Sequence, residues 1–96
     1  MTYEEFERSL ASATPPAGLS TPLSALWHDA HGDWHRAHSI AQDVEDATGA
    51  WVHAYLHRKE GDAGNARYWY GRAGRAPASG DLDEERTQIV RALLAG

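Results

Sequence analysis

Histidine is the residue type whose placement in this chain most suggests chemistry, because six of the 96 residues are histidines. His53 and His57 are four residues apart, a spacing that places both imidazoles on one face of a helix. Neutral imidazole is a common ligand of zinc and related transition metals, so such a pair can begin a metal site. The third ligand of such a site remains open among five side chains, namely His28, His31, His38, Asp29 and Glu60.

A structural role for these histidines is the simpler interpretation. His28 and His57 occupy equivalent positions of an internal repeat, where each ring can donate a hydrogen bond to a carbonyl or carboxylate. The pattern lacks the glutamate of an HExxH metalloprotease motif. No serine or threonine lies in a nucleophile elbow, and the chain has no cysteine. We therefore predict no catalytic residues, and we expect any ligand at His28, His53 and His57 to be a metal ion or a small anion.

The helices that carry these side chains follow from the internal repeat, which has a spacing of 29 residues. A glycine that ends one helix, followed by an aspartate that caps the next, is typical of a helical hairpin. The sequence therefore predicts two hairpins, at about residues 22–44 and 48–75. The agreeing pairs of the repeat are Ala25 with Ala54, His28 with His57, Gly32 with Gly61, Asp33 with Asp62, and Ala37 with Ala66.

One further helix is predicted at each end of the chain. Thr2 with Glu5 forms a capping-box pattern, and apolar residues then recur at helical spacing over residues 3–13. A similar pattern begins a last helix at Asp81. Pro22 follows Thr21, and proline is favoured at the first position of a helix, so the second helix is predicted to begin at Pro22. No segment alternates apolar and polar residues as a strand does, so we predict a single all-α domain of about six helices spanning residues 1–96.

Gly61-Asp62, Ala66 and Tyr70 form a spaced pattern in the second hairpin. It resembles tetratricopeptide and Sel1-like repeats, which place a small residue five positions after the turn glycine and an aromatic residue four further on. Residues 50–75, AWVHAYLHRKEGDAGNARYWYGRAGR, also resemble a block shared by a family of small bacterial proteins. The resemblance implies a repeat-like helical fold and no particular activity, because a fold does not determine a function.

Aromatic residues predict a contact surface. The chain has four tryptophans and four tyrosines, and most are expected in the core. Tyr68 lies opposite Ala66 and Ala73 on its helix, so it should leave the hairpin interior. Trp51 and Tyr55 lie beside the small-residue side of their own helix. Exposed aromatic side chains commonly mark interfaces, so we predict that Tyr68, with Trp51 or Tyr55, contributes to a self-association or partner interface.

Composition limits the class of partner. The net charge is -5 and the pI is near 5.6, which argues against nucleic acid as the main partner. The acidic start is unlike a signal peptide, and no apolar run approaches ~18 residues, so we expect a cytoplasmic protein without a membrane partner. The leading interpretation is a non-enzymatic protein–protein interaction or self-association module, such as a homodimer, with no cofactor. The alternative is a metal-binding or small-anion-binding protein that uses the histidines.

Overall fold

The computed structural model describes residues 1–96 and contains six α-helices and no strand, which confirms the predicted all-α fold. None of the helices combines the length and the apolar composition that crossing a membrane requires. The helices are α1 (Tyr3–Ser9), α2 (Thr21–Ala30), α3 (Trp34–Gln42), α4 (Ala47–Glu60), α5 (Ala63–Ala73) and α6 (Leu82–Ala95).

Side-chain caps begin the helices, as the sequence predicts. The carboxylates of Asp33, Asp46 and Asp62 each accept a hydrogen bond from the backbone N–H three residues further along the chain. The second helix begins one residue earlier than predicted. Its cap is Ser20, whose hydroxyl accepts the equivalent hydrogen bond, and Thr21 is already helical.

The first helix is shorter than the predicted span of residues 3–13. Its capping box forms as predicted, but α1 ends at Ser9. The Ser9 hydroxyl donates a hydrogen bond to the carbonyl of Phe6 at 2.6 Å and accepts one from Nε1 of Trp27 at 3.0 Å. A serine side chain that bonds to nearby backbone competes with helix continuation. The next residues accordingly form tighter turns with bonds between residues three apart.

The Gly-Asp turn has the same backbone geometry in both repeats. The turn glycines have φ angles of 93° and 92°, in the left-handed region that glycine enters without strain. The N–H of Asp33 donates to the carbonyl of His28 at 2.8 Å, and that of Asp62 donates to His57 at 2.9 Å. These bonds satisfy the last carbonyl groups of α2 and α4. The two histidines are therefore equivalent in backbone position.

Helix α4 is the centre of the fold. It packs against α2, α3, α5 and α6, while α1 covers part of α6. Because α3 and α5 both contact α4, side chains from three helices can meet around its histidines. Eight of the 14 residues of α4 are buried, namely Gly49, Ala50, Val52, His53, Ala54, Tyr55, Leu56 and His57.

Candidate metal centre

Three histidines from two helices converge beside α4. His38 comes from α3, and His53 and His57 come from α4. One ring nitrogen of each lies within 4.8 Å of the other two. The Nε2 atoms of His38 and His53 are 2.9 Å apart, and the rings of His53 and His57 stack with centroids 4.7 Å apart. We call these three residues the histidine cluster.

Two tryptophans hold the rings of the cluster in place. Trp34 stacks on His38 with ring centroids 5.0 Å apart and an interplanar angle of 14°. Trp69, on α5, stacks on His53 at 4.0 Å and 20°. Trp34 is itself fixed, because its Nε1 donates a hydrogen bond to the carbonyl of Leu56 at 2.8 Å. The two imidazoles therefore have little freedom to rotate away from each other.

Glu60 selects the tautomer of His57. Oε1 of Glu60 lies 2.7 Å from Nδ1 of His57, so Nδ1 carries the proton and donates a hydrogen bond to the carboxylate. The lone pair of the neutral ring is then on Nε2, which is left free to bind a metal. A carboxylate on the far nitrogen of a ligating histidine is the usual support for such a ligand.

A second group, formed by His57, Glu60 and Asp62, also has its ligand atoms within 4.8 Å of one another. Both carboxylate oxygens of Asp62 are already used, because Oδ1 accepts from the backbone N–H of Asn65 and Oδ2 accepts from its side-chain amide. The histidine cluster is therefore the better candidate for a metal ion.

Burial favours the neutral, metal-binding form of His53 and His38. His53 is 5% exposed. Its burial, followed by the charges of His38 and His57, lowers its pKa from the ordinary 6.5 to about 4. Burial also lowers the pKa of His38, with a further contribution from His57. A ligand that is already deprotonated at neutral pH binds a metal without losing a proton first.

The metal-free protein should lose stability as the pH falls from 6.5 towards 4. Over this window the unfolded chain takes up a proton at His53 that the folded chain resists, so acid favours unfolding. The pKa difference corresponds to about 3 kcal/mol at most. Urea denaturation in the presence of EDTA, repeated across this pH range, measures the free energy of unfolding. Replacing His53 by Leu should flatten the profile, and an unchanged profile in that variant would contradict the assignment.

His28 is not part of the cluster, and this corrects the predicted trio of His28, His53 and His57. His28 lies on α2, and its ring nitrogens are not among those that converge beside α4. The third nitrogen comes from His38, one of the alternatives that the sequence left open. His38 faces α4 because α3 and α4 pack directly against each other. The signal for it was its spacing of four residues from Trp34, which brings the two rings together on one helix face.

The predicted aromatic surface is only partly present. Tyr55 is fully buried and its hydroxyl donates to Asp29 at 3.4 Å, so it does not reach a partner. Trp51 is half-buried, and the guanidinium carbon of Arg75 lies 3.4 Å from the centroid of its ring. Tyr68 is 55% exposed, in agreement with its predicted position. Of the three aromatic residues, Tyr68 alone has a largely exposed side chain.

Comparison of the chain with protein-family models, curated proteins and solved structures gives no match. The geometry of the histidine cluster is therefore the observation from which a function can be argued.

Proposed function

We propose that this protein binds one divalent transition-metal ion through Nε2 of His38, His53 and His57. The observation that carries the proposal is the convergence of three ring nitrogens, one from each residue, within 4.8 Å of one another. Metal–nitrogen bonds of about 2.0–2.1 Å in a tetrahedral site separate the ligand nitrogens by roughly 3.3 Å. The rings of His53 and His57 stack at an interplanar angle of 21°, so binding one ion through both requires a rotation of the His57 side chain.

A metal ion would replace the proton that His38 and His53 share. In the metal-free protein the Nε2 atoms of these two rings are 2.9 Å apart, so one of them donates and the other accepts. For both rings to hold a metal through Nε2, the donor ring would carry its proton on Nδ1 instead, so that each Nε2 has a free lone pair. The metal would thus take the place of the hydrogen bond between the two Nε2 atoms.

The donor set favours zinc and its neighbours over magnesium or calcium. Three imidazole nitrogens suit Zn²⁺, Cu²⁺, Ni²⁺ and Co²⁺. Mg²⁺ and Ca²⁺ prefer oxygen ligands, and the histidine cluster contains none. We take Zn²⁺ as the test ion, because sites with three histidines are well known for it.

The direct test is equilibrium dialysis of the EDTA-stripped full chain against Zn²⁺. We expect one ion per chain, and we expect His38→Ala to lose it. His38 is the least buried ligand, so its replacement disturbs the fold least. His35→Ala is the matched control, because His35 is an exposed histidine of the same helix outside the cluster. Equal retention of zinc by both variants would overturn the proposal.

Glu60→Ala should weaken Zn²⁺ binding by about 10–100-fold, the usual effect of removing the partner of a ligating histidine. Without the carboxylate, nothing holds His57 in the tautomer that leaves Nε2 free. Glu60→Gln should recover part of the affinity, since its amide oxygen can accept the same Nδ1–H bond. Competition for zinc with a chelator of known affinity measures both variants. Affinity that is equal in Glu60→Ala and the unmodified protein would exclude this role of Glu60.

Self-association is a second candidate function, and the exposure of Tyr68 favours it. Tyr68 and Met1 are the large hydrophobic residues with exposed side chains, and Tyr68 is held in place by a 2.9 Å hydrogen bond from Arg72. Rigid, exposed tyrosine is common in interfaces. We expect Tyr68→Ala to weaken any homodimer by about tenfold or more, the size of a modest hot spot. Sedimentation equilibrium measures this, and an assembly state that is the same in both proteins would exclude Tyr68 from the interface.

A further inference from the structure

We infer that the metal in the histidine cluster keeps one coordination position open, and that this position takes water, hydroxide or a small monodentate anion such as azide or formate. This inference rests on the proposed metal binding. It adds the chemical class of the exogenous ligand, which distinguishes an exchangeable centre from a closed structural one.

The first argument is the number of ligands. The cluster contains three histidines and no fourth histidine, cysteine, aspartate or glutamate within the same distance. Structural zinc sites usually have four protein ligands, whereas sites with three leave the fourth position to solvent or substrate. Three neutral imidazoles also leave the double positive charge of the ion uncompensated, which favours an anion in the remaining position.

The second argument is that the carboxylate of Glu60 already accepts a hydrogen bond from His57. Its Oε1 accepts the Nδ1–H of His57 at 2.7 Å. A metal bound to Nε2 lies on the other side of the same imidazole ring, so the oxygen that holds Nδ1 cannot also ligate that ion. Glu60 therefore supports a ligand and leaves the fourth position unfilled.

The third argument concerns access and size. His53 and His57 are 5% and 8% exposed, whereas His38, on α3, is half-buried and is the most exposed ligand of the cluster. Trp34 and Trp69 cover the faces of two of the rings. None of the four surface cavities of the molecule is lined by a residue of the cluster. The open position therefore suits a ligand of a few atoms and has no recess for a larger substrate.

The test uses the full chain loaded with Co²⁺, whose visible absorption depends on the number and kind of its ligands. Binding of Co²⁺ by itself tests the proposed function, and no uptake would overturn that proposal first. With Co²⁺ bound, azide should change the visible spectrum in a saturable way, with one azide per ion. Formate should compete with azide for the same position. A Co²⁺ spectrum that azide and formate leave unchanged would overturn the open position while leaving metal binding intact.

The Glu60→Gln variant distinguishes an open fourth coordination position from one that Glu60 fills. Glu60→Gln is expected to bind the metal more weakly, so both proteins are compared at saturating Co²⁺; if the fourth position is open, azide should then change the Co²⁺ spectrum of both. If Glu60 moves onto the metal and closes the site, only the variant should respond, and that result would overturn the inference. His35→Ala serves as the control variant and should respond as the unmodified protein does.

Discussion

Zinc at a hundredfold excess over its dissociation constant is expected to raise the melting temperature of the metal-free protein by roughly 10–20 °C. A ligand that binds only the folded state at this excess stabilises it by about 2.7 kcal/mol. For a domain of this size, each kcal/mol shifts the midpoint by about 4–8 °C. Differential scanning calorimetry before and after zinc addition measures the shift, and excess EDTA should reverse it.

Two histidine variants show whether that stabilisation comes from the histidine cluster. His38→Ala removes one ligand of three and should abolish the response to zinc. His35→Ala leaves the cluster intact and should retain the full shift. A melting temperature that still rises in His38→Ala would mean that zinc stabilises the protein from another place.

Arg58→Met is expected to destabilise the protein by about 3–5 kcal/mol, because it leaves a buried carboxylate without its cation. Glu85 is 5% exposed, and its Oε1 accepts a hydrogen bond from Nη1 of Arg58 at 2.8 Å. The hydroxyl of Tyr70 donates to the other carboxylate oxygen. Arg58 also donates to the carbonyl of Gly80, so this one guanidinium joins α4 to the start of α6. Urea denaturation at neutral pH measures the loss.

A double variant distinguishes the effect of the unpaired Glu85 charge from the effect of lost Arg58 packing. Adding Glu85→Gln to Arg58→Met removes the unpaired charge and should restore part of the stability. Arg67→Met replaces an exposed arginine of α5 and should change the free energy of unfolding by no more than about 0.5 kcal/mol. A loss in Arg58→Met that is as small as that of Arg67→Met would show that the ion pair contributes little.

Local signals in the sequence were sufficient to predict the helices. The aspartate caps act on an N–H two or three residues away, and the Gly-Asp turn closes over six residues, so both can be recognised without knowledge of the tertiary fold. The prediction for α1 was wrong at its end, where the Ser9 hydroxyl bonds to the carbonyl of Phe6 and also accepts a hydrogen bond from Trp27, which lies 18 residues away. A contact of that range leaves no trace in helical periodicity.

The same difference between local and long-range contacts explains which residues of the site could be predicted from the sequence. His53 and His57 could be paired from the sequence, since one helix sets their distance. Choosing His38 over His28 required the packing of α3 against α4, which the sequence pattern does not specify. The contact of Arg58 with Glu85 spans 27 residues and was not predicted for the same reason.

Tyr55, offered as the alternative to Trp51 in the predicted interface, does not reach the surface because α4 is enclosed by four other helices. Helical-wheel reasoning assigns one apolar face to the core and the remainder to solvent. On a central helix nearly every direction is interior, and Tyr55 is fully buried. Tyr68 was placed correctly because α5, like most helices of a small domain, has one side open to solvent.

Trp34 stacks on His38 and Trp69 stacks on His53, so the fluorescence of these tryptophans should report metal binding to the cluster. A paramagnetic ion held a few ångströms from an indole quenches its fluorescence, so Cu²⁺ or Co²⁺ in the cluster would quench the emission of these two tryptophans. Trp27 stacks on His31 instead, outside the cluster. The occupancy of the centre can therefore be followed in the unlabelled protein, at the concentrations and on the timescale at which the metal exchanges.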